Sequence, residues 1–210
     1  MVIPALVKRE FRLGSKPRVT AISIGLIHQT YRINSTEGTL ILQRLHPVLA
    51  GQDIAADFLA VTEHLKAKAF PAPVCRRSVS GDVLVHANGS VWRAQTFLSG
   101  VTHTKVTTPA MADEAAAIYA RFHLAMNDFP NRFRAKKLLH DTPKVLRIFE
   151  KIMKQHTKSQ LMPEVSRDVD LVRCKLRAHL LPDDLPLRVI HGYPKISNVL
   201  FDRRLRATCI

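Results

Sequence analysis

The sequence predicts an α+β fold in two lobes: a sheet with one helix, then a mainly helical part. Three observations predict it. The first hundred residues alternate apolar and polar or small positions over short runs, with an Asn-Gly pair between two of them. From Gly100 onward, apolar residues recur at helical spacing behind two Thr-Pro pairs. Near the C-terminal end, short apolar runs flank a loop holding His, Tyr, Lys and Asn. The boundary is expected at Ser99-Gly100, giving lobes 1–99 and 100–210.

In chain order, Ile22 and Ile24 alternate with Ala21 and Ser23, as in a half-buried strand. Tyr31-Arg32-Ile33 and Thr39 to Leu45 read as two further strands around the polar turn Asn34 to Gly38. Ile54, Phe58, Val61 and Leu65 step by four, three and four residues, one face of a helix that ends before Pro71-Ala72-Pro73. Val83 to Ala87 and Ser90 to Thr96 flank Asn88-Gly89, a two-residue hairpin loop whose central positions both need positive φ.

After Gly100, Thr108-Pro109 is an N-cap followed by proline at the first helical position. Met111, Ala115, Ile118 and Phe122 share the face behind it. Thr142-Pro143 repeats the device ahead of Val145, Phe149, Ile152 and His156. Val165, Val169, Val172, Leu176 and Leu180 form a third stripe, stopped by Pro182. Strands are expected at Leu187 to Ile190, Val199 to Phe201 and Ala207 to Ile210.

Composition excludes several classes. Of 210 residues, 46% are apolar and 23% charged, which rules out collagen, coiled coil and wholesale disorder. No apolar run approaches the roughly 18 residues of a membrane helix. Residues 1–10 are apolar too briefly for a secretory signal and lack a basic leader, so a cytoplasmic protein without a membrane partner is expected. Cys75, Cys174 and Cys209 lie far apart with no zinc-ligand spacing and read as reduced thiols. The net charge of +15 raises the prior for a polyanionic partner. No long Lys/Arg block or interleaved aromatics accompany it, so a solvated basic face is expected, with a basic nucleic-acid-binding protein as the alternative.

The chemistry is expected at His191 to Asn198. Its spacing is that of H-x-D-x-x-x-x-N, in which an Asp accepts the substrate hydroxyl proton and an Asn holds Mg²⁺. Asn198 fits the metal-facing amide, and Lys195 fits a cation stabilising charge on a transferring phosphoryl group. Tyr193 stands where the Asp would be. No H-E-x-x-H or G-x-S-x-G is present, so neither a zinc-protease site nor a serine nucleophile elbow is expected.

Taken together, these parts resemble the aminoglycoside phosphotransferase and choline kinase-like small-molecule kinases, and within them the N-acetylhexosamine kinase-like branch. Ile24-Gly25-Leu26-Ile27-His28-Gln29-Thr30-Tyr31 resembles the hairpin loop over the nucleotide phosphates. Leu40 to Leu45 resembles the strand bearing the cationic phosphate contact, placed at Arg44. Trp92 to Gly100 resembles the adenine-binding hinge, with Phe97 and Leu98 against the base. His191 to Asp202 resembles the family's H-G-D-P-K-x-S-N-x-L-F-D. The resemblance spans residues 18 to 210 and implies a protein-kinase-like fold, ATP or GTP with Mg²⁺, and a small-molecule hydroxyl acceptor. The shortage of acids favours a neutral or anionic sugar over a polycationic aminoglycoside. His191 is implied to hold the turn, and Glu63 and Asp57 are read as a solvated helix face rather than as partners of Arg44.

Two departures bear on activity. A phenol with a pKa of about 10 is no carboxylate near neutral pH, and it is too long to place an acceptor where Asp would. The family's I-D-x-D segment, which binds Mg²⁺, would begin just after Ile210. On this reading the chain is a C-terminally truncated member, inactive or severely impaired, or a nucleotide-binding remnant. Its Mg²⁺ site is expected to be incomplete, and apolar helix faces around Val165 to Leu180 are expected to be uncovered.

Overall fold

A computed structural model describes residues 2–23, 27–130, 132–135, 141–182, 184–186 and 188–210. Residues Met1–Ala135 with Arg188–Ile210 form one compact unit, and Lys136–Leu187 a second. The boundary expected at Ser99-Gly100 falls inside the first of these units. The physical reason is that the helix following the hinge shares a core with the helix preceding it, as described below.

The first unit is built on an antiparallel sheet of β1 (Arg18–Ile22), β2 (Gln29–Ser35), β3 (Gly38–Arg44), β4 (Cys75–Arg76), β5 (Val85–Ala87) and β6 (Ser90–Thr96). Its order is β1-β2-β3-β6-β4, with β5 also paired to β6. The β5–β6 hairpin turns at Asn88 and Gly89 with φ of 49° and 66°, the two positive values that the Asn-Gly pair predicts.

Register decides which residues share a face, because directly opposed residues point the same way. Tyr31 opposes Leu42, and Leu42 opposes Ala94. With Ile33, Leu40 and Trp92 they form one face, covered by Val7 and Phe11. Gln43 opposes Thr30 on one side and Arg93 on the other. With Ile41 they form the opposite face, which meets α2 (Gln52–Ala67) where Arg93 stacks on Phe58.

Val7 belongs to α1 (Ala5–Glu10), so among the described residues the first hundred hold two α-helices rather than the one expected. Six residues are too few for a helical period to stand out, and tertiary packing supplies the stability that so short a helix lacks. Glu10 ties α1 to the 78–82 turn, accepting from Ser80 N at 3.2 Å and Ser80 Oγ at 2.8 Å.

A second core lies between α2 and α3 (Pro109–Ala125). Leu65 and Phe70 meet Ile118 and Phe122, and Val199, Phe201 and Ala207 close the cluster. The Thr108 side chain accepts from Met111 N at 3.2 Å, capping α3 as the Thr-Pro pair predicts. The final strands, β7 (Leu200–Phe201) and β8 (Ala207–Cys209), pair with each other. Val101 and Phe201 exchange both backbone hydrogen bonds at 2.9 Å, so the segment after the hinge is stitched to β7. A glycine is required there: a Cβ on Gly100 would lie 2.9 Å from Leu200 Cβ. The expected strand at 187–190 does not form: residues 188–190 carry no regular structure, and Leu187 lies outside the described residues.

The second unit holds α4 (Thr142–Gln155) and α5 (Met162–Lys175). Its N-cap is Asp141 rather than Thr142: the carboxylate accepts from Lys144 N at 2.9 Å, leaving Thr142 in the first turn. Arg173 donates to both carboxylate oxygens of Glu150, at 3.3 and 3.0 Å. Val145, Ile148 and Ile152 of α4 and Val165 and Leu171 of α5 are exposed. No helix among the described residues is long and apolar enough to cross a membrane.

Candidate active site

Three aromatic neighbours fix the start of the His191–Asn198 loop. The His191 ring meets Tyr119 edge-on at 5.0 Å and Phe122 at 5.7 Å, and its backbone N–H donates to His123 Nε2 at 3.4 Å. Burial, followed by the neighbouring His123, holds the His191 pKa below the usual histidine value, so the ring is neutral at pH 7. Gly192 turns the chain with φ of 75°.

The middle of the loop is held through its backbone. The Tyr119 hydroxyl accepts from Lys195 N at 3.2 Å and donates to Lys195 O at 3.0 Å. Burial raises the pKa of that phenol, keeping its proton in place for the donated bond. Asn198 Nδ2 donates to Tyr193 O at 3.0 Å, and Asn198 N donates to Lys195 O at 3.0 Å. The Tyr193 side chain is 56% exposed, and Lys195 Nζ lies 4.7 Å from its ring centroid. Lys195 thus faces an aromatic ring at the place where the motif would give it a carboxylate.

The donors do not fit a divalent cation. Mg²⁺ takes hard oxygen ligands, usually with carboxylates among them, and none of residues 191–198 is a carboxylate. Asp202, at the end of the motif, accepts from Arg204 N at 2.8 Å and from Arg206 N and Nε at 3.0 Å each. Those bonds, led by Arg206 N, hold its pKa below the usual range and commit the carboxylate to its own turn. Among the described residues, no group of three His, Cys, Asp or Glu could hold a metal.

The sheet places the other expected residues differently. Gly25 lies outside the described residues. Phe97 and Leu98 are half-buried at the hinge, with the Arg32 guanidinium 4.3 Å above the Phe97 ring. Arg44 falls on the same face as Leu40 and Leu42, the one α1 covers, and not on the face toward α2. It donates to Ser90 Oγ at 2.9 Å and Gln29 Oε1 at 3.5 Å, and lines an open groove of about 550 Å³ with Ile27, His46 and Ser90. Neither Glu63 nor Asp57 of α2 pairs with it. Glu63 sits 3.9 Å from Arg77, and Asp57 accepts from the backbone of Arg134 and Ala135, both at 2.8 Å. Asp57 is therefore a loop anchor rather than part of a solvated face.

Two features lie outside the sequence reading. One is Tyr119, which lies beside the Ile118–Phe122 stripe of α3, one helical turn before His123. The other is a cluster of Gln43, Phe58 and Arg93. Arg93 NH2 donates to Gln43 Oε1 at 2.7 Å, and its guanidinium carbon lies 3.7 Å from the Phe58 ring centroid. The strand alternation of Val91-Trp92-Arg93-Ala94 signalled that Trp92 and Arg93 point to opposite faces, but not what each would meet.

An antiparallel sheet with a helix on each face, a hinge, and a following helix whose core neighbours carry an H-G-x-P-K-x-S-N loop define a kinase-type phosphotransferase fold. The chain belongs to the phosphotransferase enzyme family, whose profile matches residues 18–210. The homoserine kinase of Agrobacterium fabrum is 27% identical over 192 residues, covering 91% of this chain and 57% of that protein. The homoserine kinase of Acidiphilium cryptum is 32% identical over 126 residues, covering 60% of this chain and 39% of that one. Amicoumacin kinase, solved with AMP-PNP and Ca²⁺, matches with a TM-score of 0.65 at 12% identity over 96% of this chain and 60% of its own. An aminoglycoside phosphotransferase from Alicyclobacillus acidocaldarius matches with a TM-score of 0.64 at 14% identity over 100% of this chain and 65% of its own. The chain thus spans 39–57% of the length of these homoserine kinases.

Proposed function

We propose that this chain binds a nucleoside triphosphate, ATP or GTP, between the loop before β2 and the Phe97-Leu98 hinge, and transfers its phosphoryl group poorly or not at all. Membership of the phosphotransferase enzyme family supports the nucleotide. The acceptor class is a small-molecule hydroxyl. A neutral or anionic sugar fits a chain of 32 basic and 17 acidic residues better than a polycation does. The relatives named homoserine kinases make an amino-acid hydroxyl the comparison to include.

The observation that carries the impairment is Tyr193, exposed and under the Lys195 ammonium. A general base contributes about 10²–10⁴-fold to such a reaction. A phenol is not a carboxylate, and it is too long to place an acceptor oxygen where Asp would. Asn198 and Lys195 remain positioned by Tyr193 O and Tyr119, so the loop retains its frame without the base.

The test is phosphoryl transfer from labelled ATP to a panel of sugars, aminoglycosides and homoserine, in the chain and in Tyr193→Asp. Transfer at least about 100-fold faster in Tyr193→Asp is expected. Equal rates in the two proteins would contradict the role given to position 193.

A further inference from the structure

The sheet face toward α2 holds a cation without a counter-charge. Arg93 extends from the middle of β6 onto that face, beneath the start of β2 and beside the end of β3. Among the described residues no carboxylate lies within ion-pair distance of it. Among the described residues it hydrogen-bonds to the neutral Gln43 amide, at 2.7 Å. Its Nε is buried without a partner, the Phe58 ring covers the guanidinium plane, and burial lowers its pKa to about 10. Its charge also reaches His28, at the end of the loop before β2, where it helps to depress the imidazole pKa.

A desolvated charge with unfilled donors is costly unless something neutralises it. Among the described residues no neutralising group stands here, and Asp57 and Glu63, on the same helix as Phe58, are engaged elsewhere. A guanidinium fork matches phosphate oxygens and forms short charge-assisted bonds with them. Arg44, the cation expected from sequence, is one residue along from Gln43 and so points to the other face.

We infer that Arg93, held by Gln43 and Phe58, is the cation that contacts the phosphates of the bound nucleotide, in place of a cation on β3. This rests on the nucleotide reading given above and adds the residue and the chemical group that it recognises. Gln43 acts as a positioning residue, setting the fork by accepting one of its hydrogen bonds.

The experiment is calorimetric titration of the 210-residue chain and of Arg93→Gln, Arg44→Gln and the double variant Arg93→Gln/Gln43→Lys with ATP and with adenosine. ATP is expected to bind the parent chain more tightly than adenosine. Arg93→Gln is expected to lose about 10- to 100-fold in ATP affinity and to keep its adenosine affinity. The double variant returns a cation to the same face and is expected to recover part of the loss. A second measurement needs no variant that has to fold without the charge. In ¹⁵N-arginine spectra of the parent chain, assigned with Arg93→Lys, the Arg93 Nε–H resonance is expected to move with ATP and not with adenosine. Unchanged ATP affinity in Arg93→Gln, an unmoved resonance at saturating ATP, or the loss appearing in Arg44→Gln alone overturns the assignment while leaving nucleotide binding intact. Binding of neither ligand by the folded parent chain overturns the nucleotide reading as well.

Discussion

The Tyr119 hydroxyl closes both backbone polar groups of Lys195, accepting from its N–H at 3.2 Å and donating to its C=O at 3.0 Å. A side chain on α3 thereby fixes the loop that carries Tyr193, Lys195 and Asn198. The clasp acts through the backbone, so it is indifferent to whether position 193 holds a phenol or a carboxylate. Loop frame and loop chemistry are separable in this protein.

Tyr119→Phe removes both bonds and leaves the ring contacts with His191. A loss of about 1–3 kcal/mol is expected from the Lys195 N–H left without its partner, while Lys195 O keeps the bond from Asn198 N. Urea unfolding followed by circular dichroism measures it. A variant as stable as the parent would mean that water replaces the clasp without cost.

Gly100→Ala places a methyl group 2.9 Å from Leu200 Cβ and 3.2 Å from the Phe201 carbonyl oxygen. Neither neighbour is a flexible chain end, so the backbone must shift. A cost of about 1–3 kcal/mol is expected, as for other overpacked sites. The same unfolding experiment reads it, and Gly51→Ala, where a Cβ meets nothing within 4 Å, serves as the comparison.

Glu10 sets one acid-dependent part of stability. Hydrogen bonds from the Ser80 hydroxyl and backbone N–H hold its carboxyl below the ordinary value. The unfolded chain, with a carboxyl pKa of about 4.3, therefore takes up the proton first. The contribution is complete above that pH and is lost as pH falls through it toward the lower folded value. Glu10→Gln should flatten this part of the acid-unfolding curve below pH about 4.3. An unchanged curve would show that other carboxylates dominate.

Thiol chemistry separates the three cysteines. Burial pushes the Cys209 thiol up to about 12 and raises Cys75 as well, whereas Cys174 is exposed. The thiolate is the reactive form, so iodoacetamide at pH 8 should label Cys174 first. Peptide mapping by mass spectrometry tests the order. Early labelling of Cys209 would place it at a surface.

The sequence made the hairpins and the long helices legible because their signals are local. Asn88-Gly89 specifies a positive-φ turn, and Thr108-Pro109 specifies a helix start. Thr142-Pro143 gave the helix but misplaced its cap by one residue, since Asp141 competes with Thr142 for the same role. The spacing singled out Tyr193, Lys195 and Asn198, and the three touch one another in the loop. What supports them was not legible. Tyr119 reaches Lys195 across 76 positions, and no local pattern encodes that contact. The face of β3 was not legible either. Gln43 and Arg44 differ by one position, and only the pairing with Arg93 and Trp92 shows which meets α2.

The most direct measurement is the thermal unfolding of the 210-residue chain with and without saturating ATP. A ligand that binds only the folded state stabilises it by mass action, by about 2.7 kcal/mol at 100 times its Kd. A rise in Tm with ATP, and a smaller one with adenosine, is the predicted result. Cooperative unfolding at the same temperature in the presence and absence of ATP would contradict a nucleotide site in this fold.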